Sequence, residues 1–341
     1  MHQPAAKVLD SDPIPGPSLR RVGFEIELLA PPGENRASLA GRLAERCSGT
    51  VRRTFHHDTE LTLVKDRSVF HHLSLGFDVL DADGDLVCRL VDDITIIDDL
   101  DAGRPPTGGW YRILSDDRRL MNLVERVCDP NATADVVLDP VAELFGSATI
   151  GHRAGLVALN DADGNSVAAV AMQGGERERV CEIIMPPIDR EHRARLDAVL
   201  ATALDRGFRV PLEAAVHLHF DADPFRSAAA LARLVKVFST DRDGLLDQLG
   251  TNMRCRRIGP LPTALVDEVR APDFDDRSWA EVQPWLHSLD VPKHADVNLR
   301  AVAGHRSHVD TVEVRILPGS IDADRIMTKT EQLQGLLAPG G

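Results

Sequence analysis

The sequence has no long apolar run and comparatively little positive charge. No stretch reaches the ~18 apolar residues of a membrane-spanning helix, so we expect no membrane association. Lys and Arg number 39 against 53 Asp and Glu, which gives a formal net charge of −14. A general nucleic-acid binder needs a basic face, so we also expect no nucleic-acid partner. A few arginines are nevertheless enough to bind one phosphate group.

Cysteine pairs at metal or redox spacing are also missing. The chain has 5 widely spaced cysteines and no CxxC, which favours reduced thiols and a cytoplasmic protein. We expect Cys181 to be packed in the core rather than to act as a nucleophile, because alternation puts it on the opposite face from Glu182. Residues 1–20 lack the apolar centre of a signal peptide and are predicted to be a disordered lead-in.

What the chain does contain is alternating strand patterns separated by helical ones. Two runs joined by Asp-Ala-Asp-Gly, near residues 81–84 and 161–164, predict tight hairpins. Strands that look adjacent and antiparallel, mixed with helices, predict the α+β class. Helices are expected over 34–49 (ending at Gly49), 115–130 (capped by Ser115), 189–208, 223–250 (one helix or two), 262–270, 278–289 and 323–337.

Polar side chains occur in pairs, two residues apart, on strands that are otherwise apolar. They are Glu25 with Glu27, His217 with His219, and Glu313 with Arg315. Alternate side chains of a strand share a face, so each pair points away from the core side. One such strand is explained equally well by a solvated face. Strands that together supply carboxylates, imidazoles and a guanidinium indicate one sheet with a reactive polar face.

The residue types of these strands suit a cation and a phosphate. Clustered glutamates repel one another unless a cation lies among them. Oxygen-rich ligand sets suit Mg²⁺ or Mn²⁺, and one imidazole is compatible with either. Arg315, two residues from Glu313, could bind a phosphate through two parallel hydrogen bonds. The pattern predicts a nucleotide-triphosphate site on a sheet, and the absence of GxxxxGK[ST] excludes a P-loop.

The motifs "GFEIEL", "CEIIMPPI", "VHLHF" and "VNLR…TVEVRILPGS", in this order, resemble the amidoligases. That family belongs to the superfamily of glutamine synthetase and glutamate–cysteine ligase. The resemblance implies a curved, mainly antiparallel sheet with helices on its convex face, like the glutamine synthetase catalytic domain. It implies a catalytic domain formed by residues 21–50 and 171–341, with a β-rich inserted subdomain over 51–170.

The resemblance also implies an activity. An ATP-dependent carboxylate–amine ligase phosphorylates a small-molecule or peptide carboxylate, and an amine substrate then attacks the acyl phosphate to form an amide. Homo-oligomeric assembly is common in this class. The matched residues are Glu25, Glu27, Glu182, His217 and Glu313 as ligands of Mg²⁺ or Mn²⁺, His219 near the ATP phosphates, Asn298 and Arg300 at the substrate, and Arg315 at the transferring phosphoryl group.

Other interpretations of these residues stay open from the sequence. A guanidino phosphotransferase could use the same scaffold, and a non-catalytic nucleotide-binding or interaction protein could retain it. The acidic stretch 92–104 indicates a solvated face more than a calcium site. Residues 254–260, "RCRRIGP", fit an anion patch or an ordinary surface run. His56, His57, His71 and His72 are weak candidates for zinc, because adjacent residues of a strand point oppositely.

Overall fold

The computed structural model describes residues 21–62, 70–152, 155–289, 291–305 and 310–338, with side chains of 59–62 excepted. The lead-in predicted for residues 1–20 lies outside these ranges. The strands are β1 Val22–Leu29, β2 Thr50–Thr62, β3 Phe70–Leu80, β4 Leu86–Val91, β5 Tyr111–Ser115, β6 Thr149–Gly151, β7 Val157–Asn160, β8 Ser166–Met172, β9 Val180–Ile188, β10 Ala215–Asp221, β11 Val297–Asn298 and β12 Thr311–Pro318. The α-helices are α1 Arg36–Arg46, α2 Arg118–Val127, α3 Asp139–Leu144, α4 His192–Asp205, α5 Ala228–Ser239, α6 Arg242–Leu249, α7 Thr263–Glu268, α8 Trp279–Ser288 and α9 Ala323–Leu337.

Strands of the described residues form one open, 12-stranded sheet. The order is β11-β12-β10-β1-β9-β4-β3-β5-β8-β7-β6, and β2 pairs with β3 outside this path. The paired strands run antiparallel throughout these ranges. The predicted α+β class is therefore confirmed, whereas the likeness to the glutamine synthetase domain and the curvature stay predictions.

The main hydrophobic core lies against one face of the central strands. Phe24, Ile26 and Leu28 of β1 are fully buried in it. They share this core with apolar residues of α1, α4, α5 and α9, such as Leu39 and Leu234. Because strand side chains alternate, these helices leave the face carrying Glu25 and Glu27 to polar side chains.

A second apolar cluster lies among the strands and helices between residues 55 and 170. It includes Leu73, Tyr111, Ile113 and Val170, with Met121 of α2 packed on them. These strands extend the same sheet, since β4 pairs with β9 on one side and β3 on the other. Part of the region 51–170 thus packs in a second cluster, whereas Phe77 and Leu90 belong to the main core, and the inserted subdomain stays a prediction.

Several element ends differ from the sequence expectations. Helix α1 is followed by its C-cap residue, Cys47, and Ser48 rather than Gly49 adopts the left-handed conformation, with φ of 54°. Gly49 is needed for another reason, since an added Cβ would lie 1.8 Å from the Leu80 carbonyl oxygen. Helix α2 is capped by Asp117 and not by Ser115, because the Asp117 carboxylate accepts the Arg119 N–H at 2.7 Å.

The region 223–250 contains two helices, α5 and α6. Asp241 begins the second one by accepting the Gly244 N–H at 3.0 Å. An Asx cap of this kind supplies a partner to an N–H that has none within the helix, which favours a new start at this residue. Both predicted Asp-Gly hairpins are present as the β3–β4 and β7–β8 connections. Among the described residues, no helix is both long and apolar enough to cross a membrane.

Candidate functional site

Strand register brings the paired polar residues together. Glu25 of β1 lies opposite His217 of β10, and Glu27 lies opposite Glu182 of β9. His219 lies opposite Glu313 of β12, which in turn lies opposite Asn298 of β11. Residues directly opposite in an antiparallel ladder have side chains on the same face about 5 Å apart. The sheet therefore converts short sequence motifs into one continuous cluster.

His217 lies at the centre of this cluster. Its Nδ1 is 3.0 Å from Glu25 Oε2 and 3.5 Å from Glu313 Oε1. Its Nε2 is 3.6 Å from Glu27 Oε1 and has no hydrogen-bond partner. The imidazole is almost fully buried, with 1% of its residue surface exposed. One ring thus contacts carboxylates from two neighbouring strands.

The glutamates differ strongly in their proton affinity. Burial, followed by the neighbouring Glu25 and Asp93 carboxylates, raises the pKa of Glu182 well above its usual value. Burial and Asp93 likewise raise the pKa of Glu27 well above the ordinary range, against the effect of Arg257. The protein without a cation therefore places more carboxyl groups here than it can ionise together.

The other two glutamates are held in the charged form. Burial raises the pKa of Glu25, but His219 and His217 together outweigh it and hold this pKa well below the usual value. For Glu313, burial is likewise opposed by Arg315, and the pKa is lowered. The positive charges present are therefore enough to keep Glu25 and Glu313 ionised, but they do not offset the burial of Glu27 and Glu182.

The two histidines respond oppositely to the same surroundings. Burial and the Arg315 guanidinium lower the pKa of His217. For His219, burial is outweighed by Glu25, whose Oε1 lies 3.0 Å from the His219 Nε2, and the pKa is raised. The other ring nitrogen of His219, Nδ1, is 2.9 Å from the Thr311 hydroxyl oxygen. The lowered pKa of His217 favours its neutral imidazole, which is the form that binds metals.

The donor set fits a divalent cation that prefers oxygen ligands. Glu25, Glu182 and His217 present ligand atoms that all lie within 4.8 Å of one another, and so do Glu25, His219 and Glu313. Glu25 belongs to both groups. Carboxylates with one imidazole suit Mg²⁺ or Mn²⁺, and a cation here would remove the repulsion that raises the pKa of Glu182. His219, matched above to the ATP phosphates, is thus equally well placed as a ligand.

Arg315 is held beside the carboxylates with one donor unused. Its NH1 donates to Glu313, and its Nε donates to the Arg257 carbonyl oxygen at 3.2 Å. Its NH2 is buried and has no hydrogen-bond partner. A guanidinium fixed at two nitrogens, with the third available, is prepared to bind an anionic oxygen.

Asn298 belongs to the cluster, and Arg300 is connected to it through the backbone. The Asn298 side-chain nitrogen donates to Glu313 Oε2 at 3.0 Å. Its side-chain oxygen accepts the Arg300 backbone N–H at 3.1 Å. Their assignment to a substrate stays a prediction.

Sequence reasoning missed the residues that connect loops to the site. Arg257 NH2 donates to Glu27 Oε1 at 3.2 Å and also to Asp93. Arg257 is buried, so within "RCRRIGP" this residue is not part of an ordinary surface run. Asp92 and Asp93 are buried as well, so the solvated-face interpretation of the acidic stretch is wrong for them. The sequence offered one signal for Asp92 and Asp93, because these two acidic residues directly follow the apolar strand β4.

The remaining candidates lie outside the cluster. Cys181 is fully buried in the main core, as predicted, and burial raises the pKa of its thiol. His57 Nε2 is 3.0 Å from Glu125 Oε2 of α2. In the described ranges, no group of metal-ligating side chains includes His56, His57, His71 or His72. The structure therefore supports neither a nucleophilic Cys181 nor a zinc site.

Fold and site together define an α+β protein with a carboxylate-rich, candidate cation site on the polar face of an antiparallel sheet. The model of a protein family described as "Putative amidoligase enzyme" matches residues 18–337, nearly the whole chain. The chain belongs to this family, and membership suggests a ligase activity. We find no significant match to a curated protein or to a solved structure.

Proposed function

We propose that this protein is an ATP-dependent carboxylate–amine ligase that forms an amide through an acyl phosphate. The observation that carries the proposal is the cluster of Glu25, His217 and Glu313, which adjoins Arg315 through the contact of its NH1 with Glu313 and leaves the Arg315 NH2 without a partner. Phosphoryl transfer depends mainly on positioning and on neutralising the charge that develops on phosphate oxygens. A cation site directly beside a fixed guanidinium supplies both requirements.

The residues that would hold Mg²⁺ or Mn²⁺ are Glu25, Glu27, Glu182, His217 and Glu313. When bound, the cation would neutralise charge on phosphate oxygens. Glu182 favours this most, because burial and then the neighbouring Glu25 and Asp93 carboxylates raise its pKa. An ion pair with Arg257, in the segment between α6 and α7, holds the Glu27 carboxylate in place.

Arg315 would bind the phosphoryl group in transfer, and His219 would lie near the ATP phosphates. The substrate carboxylate oxygen takes the γ-phosphoryl group, and ADP leaves. The amine nitrogen then bonds to the acyl carbon while the carbon–oxygen bond to phosphate breaks, and a proton passes from nitrogen to solvent. Asn298, on the strand next to Glu313, and Arg300, two residues beyond it, would orient the substrate.

Other functions on this scaffold receive less support. A guanidino phosphotransferase would be favoured by a cysteine at the site, but Cys181 is buried in the core on the face opposite Glu182. A protein that only binds a nucleotide could use the same arginine for a phosphate, but the match to a family described as an enzyme favours catalysis. Neither alternative has an observation in its favour comparable with the cluster.

The test measures ADP and phosphate with Mg²⁺ and ATP, for pairs of carboxylic acids and amines. A ligase releases both products only when acid and amine are present together. Transfer of phosphate without its release would indicate a phosphotransferase, and no turnover with any pair would contradict both enzymes. Glu313→Gln serves as the inactive reference, and Glu331→Gln, on the exposed side of α9, is the matched control.

A further inference from the structure

A cavity of about 310 Å³ lies where the sheet divides. Strands β4 and β5 both pair with β3, one after the other, while β2 pairs along the same stretch of β3 from its other edge. Arg112, Gln173 and Arg177 line the cavity together with apolar residues that include Ile94, Leu114 and Ala171. This volume and this mixture are typical of a site for a small molecule.

The strand register puts this cavity on the same face as the glutamates. Arg112 of β5 lies opposite Ser74 of β3, and Ser74 shares a face with Asp78. Asp78 lies opposite Arg89 of β4. Two residues after Arg89, Val91 lies opposite Glu182. Side chains two residues apart share a face, so Arg112 and Glu182 point to the same side of the sheet.

Two arginines, Arg112 and Arg177, line the cavity, and the described lining residues include no carboxylate. Arg36, Arg112 and Arg177 all interact electrostatically with the buried Asp92 carboxylate. Among the described residues, Arg36 also donates to backbone carbonyl oxygens, such as that of Leu75 at 3.2 Å, and lies over the Trp110 ring. Within the described ranges, Asp92 is the carboxylate to which Arg112 donates, and its hydrogen bond is long at 3.4 Å. Buried charge without compensation is costly, so this place favours an added anion.

Two polar groups of the cavity also lack partners. The Gln173 side chain is 95% buried, with 5% of the residue exposed, and its nitrogen donates to Asp92 Oδ2 at 3.1 Å. Its oxygen, Oε1, accepts no hydrogen bond. Nε of Arg112 likewise has no partner. A buried polar atom without a partner costs free energy, so a ligand that offers an N–H and an anionic oxygen would satisfy both.

We propose that this cavity binds an apolar α-amino acid, which is the amine substrate of the ligase. The carboxylate pairs with Arg112, the amino group donates to Gln173 Oε1, and the side chain packs on Leu114 and Ala171. A carboxylate held by arginine is protected from activation, which leaves the amino group as the reacting end. The assignment as amine substrate rests on the proposed ligase function, whereas binding itself does not.

The test is isothermal titration calorimetry without ATP, with L-alanine, L-valine, L-leucine, L-methionine and L-phenylalanine. At least one of them should bind, and its amide, which lacks the carboxylate, should bind at least tenfold more weakly. Arg112→Gln should weaken binding at least tenfold, and Ala171→Leu should abolish it by filling the cavity. Arg119→Gln is the matched control, because the Arg119 side chain is 90% exposed and its ion-pair partner among the described residues is Asp117. Thermal melting shows which variants are folded.

The proposal is overturned if none of these amino acids binds, or if folded Arg112→Gln and Ala171→Leu proteins bind them as the unaltered protein does. Either variant is sufficient for the test if the other fails to fold. Turnover is measured separately. Amino-acid binding without any amide formation would contradict the ligase function and leave the site standing. Amide formation from other amines, with no binding here, would overturn the site and leave the ligase function standing.

Discussion

Glu313 connects the two halves of the candidate site. It belongs to a potential cation group with Glu25 and His219, and it also accepts hydrogen bonds from Arg315 and Asn298. A single carboxylate in both roles couples the binding of a cation to the position of the guanidinium. Substitution here therefore tests the cluster as a unit.

We expect Glu313→Gln to lower kcat at least about a hundredfold, because the amide keeps the shape but removes the negative charge that a cation needs. The amide oxygen can still accept from Arg315, but a charged hydrogen bond is lost, so thermal melting is used to establish that the variant is folded. Steady-state ADP release measures the effect, with Glu331→Gln as the control for loss of one surface carboxylate. A kcat within twofold of the unaltered enzyme would remove Glu313 from the site.

Arg315→Lys tests whether the planar guanidinium itself is needed. Lysine keeps the charge but has no fork of parallel donors, so we expect kcat to fall about a hundredfold to a thousandfold. The KM for ATP should change much less if the interaction strengthens in the transition state. Arg325→Lys, an exposed position on α9, is the matched control. Unchanged kcat would contradict a role of Arg315 in phosphoryl transfer.

At the residue scale, the period of two in β1, β10 and β12 was enough to predict which side chains share a face. The predicted Glu25, His217 and Glu313 do meet, at distances of 3.0 Å and 3.5 Å. Arg257 and Asp93 were not assigned to the site, because Asp93 follows strand β4 and Arg257 follows helix α6, in irregular segments where no period predicts direction. Whether their charges are buried depends on the packing of distant chain segments.

At the scale of elements, Asp78 of β3 connects its strand to the neighbouring strands β2 and β4. Its carboxylate accepts from Arg89 of β4 at 2.5 Å and from Arg52 of β2 at 2.8 Å. Burial raises the pKa of Asp78, but the hydrogen bonds and charges of Arg89 and Arg52 outweigh it and lower this pKa. One carboxylate therefore joins three neighbouring strands on the polar face.

We expect Asp78→Asn to lower the free energy of unfolding by about 1–3 kcal/mol at neutral pH, since charged hydrogen bonds are lost. Because the pKa of Asp78 is lower in the folded state, its ionised carboxylate stabilises the fold at pH values above the unfolded pKa of about 3.9. The difference between the two proteins should thus shrink as the pH falls through the lower, folded pKa. Urea unfolding between neutral and acidic pH measures it, and Asp83→Asn, on the exposed hairpin, is the control. A difference that persists in acid would contradict the ion pairs.

Helix and strand existence was predictable, but several ends were not. Helix α9 has the predicted bounds of 323–337, because the Asp322 cap and the apolar spacing are both local signals. The end of α1 depends instead on the close approach of Gly49 to β3, at the Leu80 carbonyl oxygen. A contact between residues 31 positions apart leaves no local pattern to recognise.

At the scale of the whole molecule, a cation that binds only the folded protein should stabilise it. We expect the melting temperature to rise with Mg²⁺ or Mn²⁺, corresponding to about 2.7 kcal/mol at a hundredfold excess over Kd. Na⁺ at the same ionic strength controls for screening, and Glu313→Gln should lose most of the effect. An equal rise in the variant would mean that the cation binds elsewhere.

The sequence by itself determined the class and the polar face. Period-two alternation in short strands requires one apolar and one polar side, and the ordered motifs indicated the family that the model match confirms. These properties depend on local stereochemistry and on residue type, which are readable along the chain. The α+β class followed from the same local patterns.

Only the tertiary structure decided which strands are neighbours. Strand β1 lies between β9 and β10, more than 150 residues later in the chain, and this pairing sets Glu25 opposite His217 and Glu27 opposite Glu182. The division of the sheet at β3, which forms the cavity beside Asp92, follows from long-range pairing as well. Such pairings are selected by the burial of the whole core, a sum over distant residues that no short stretch contains.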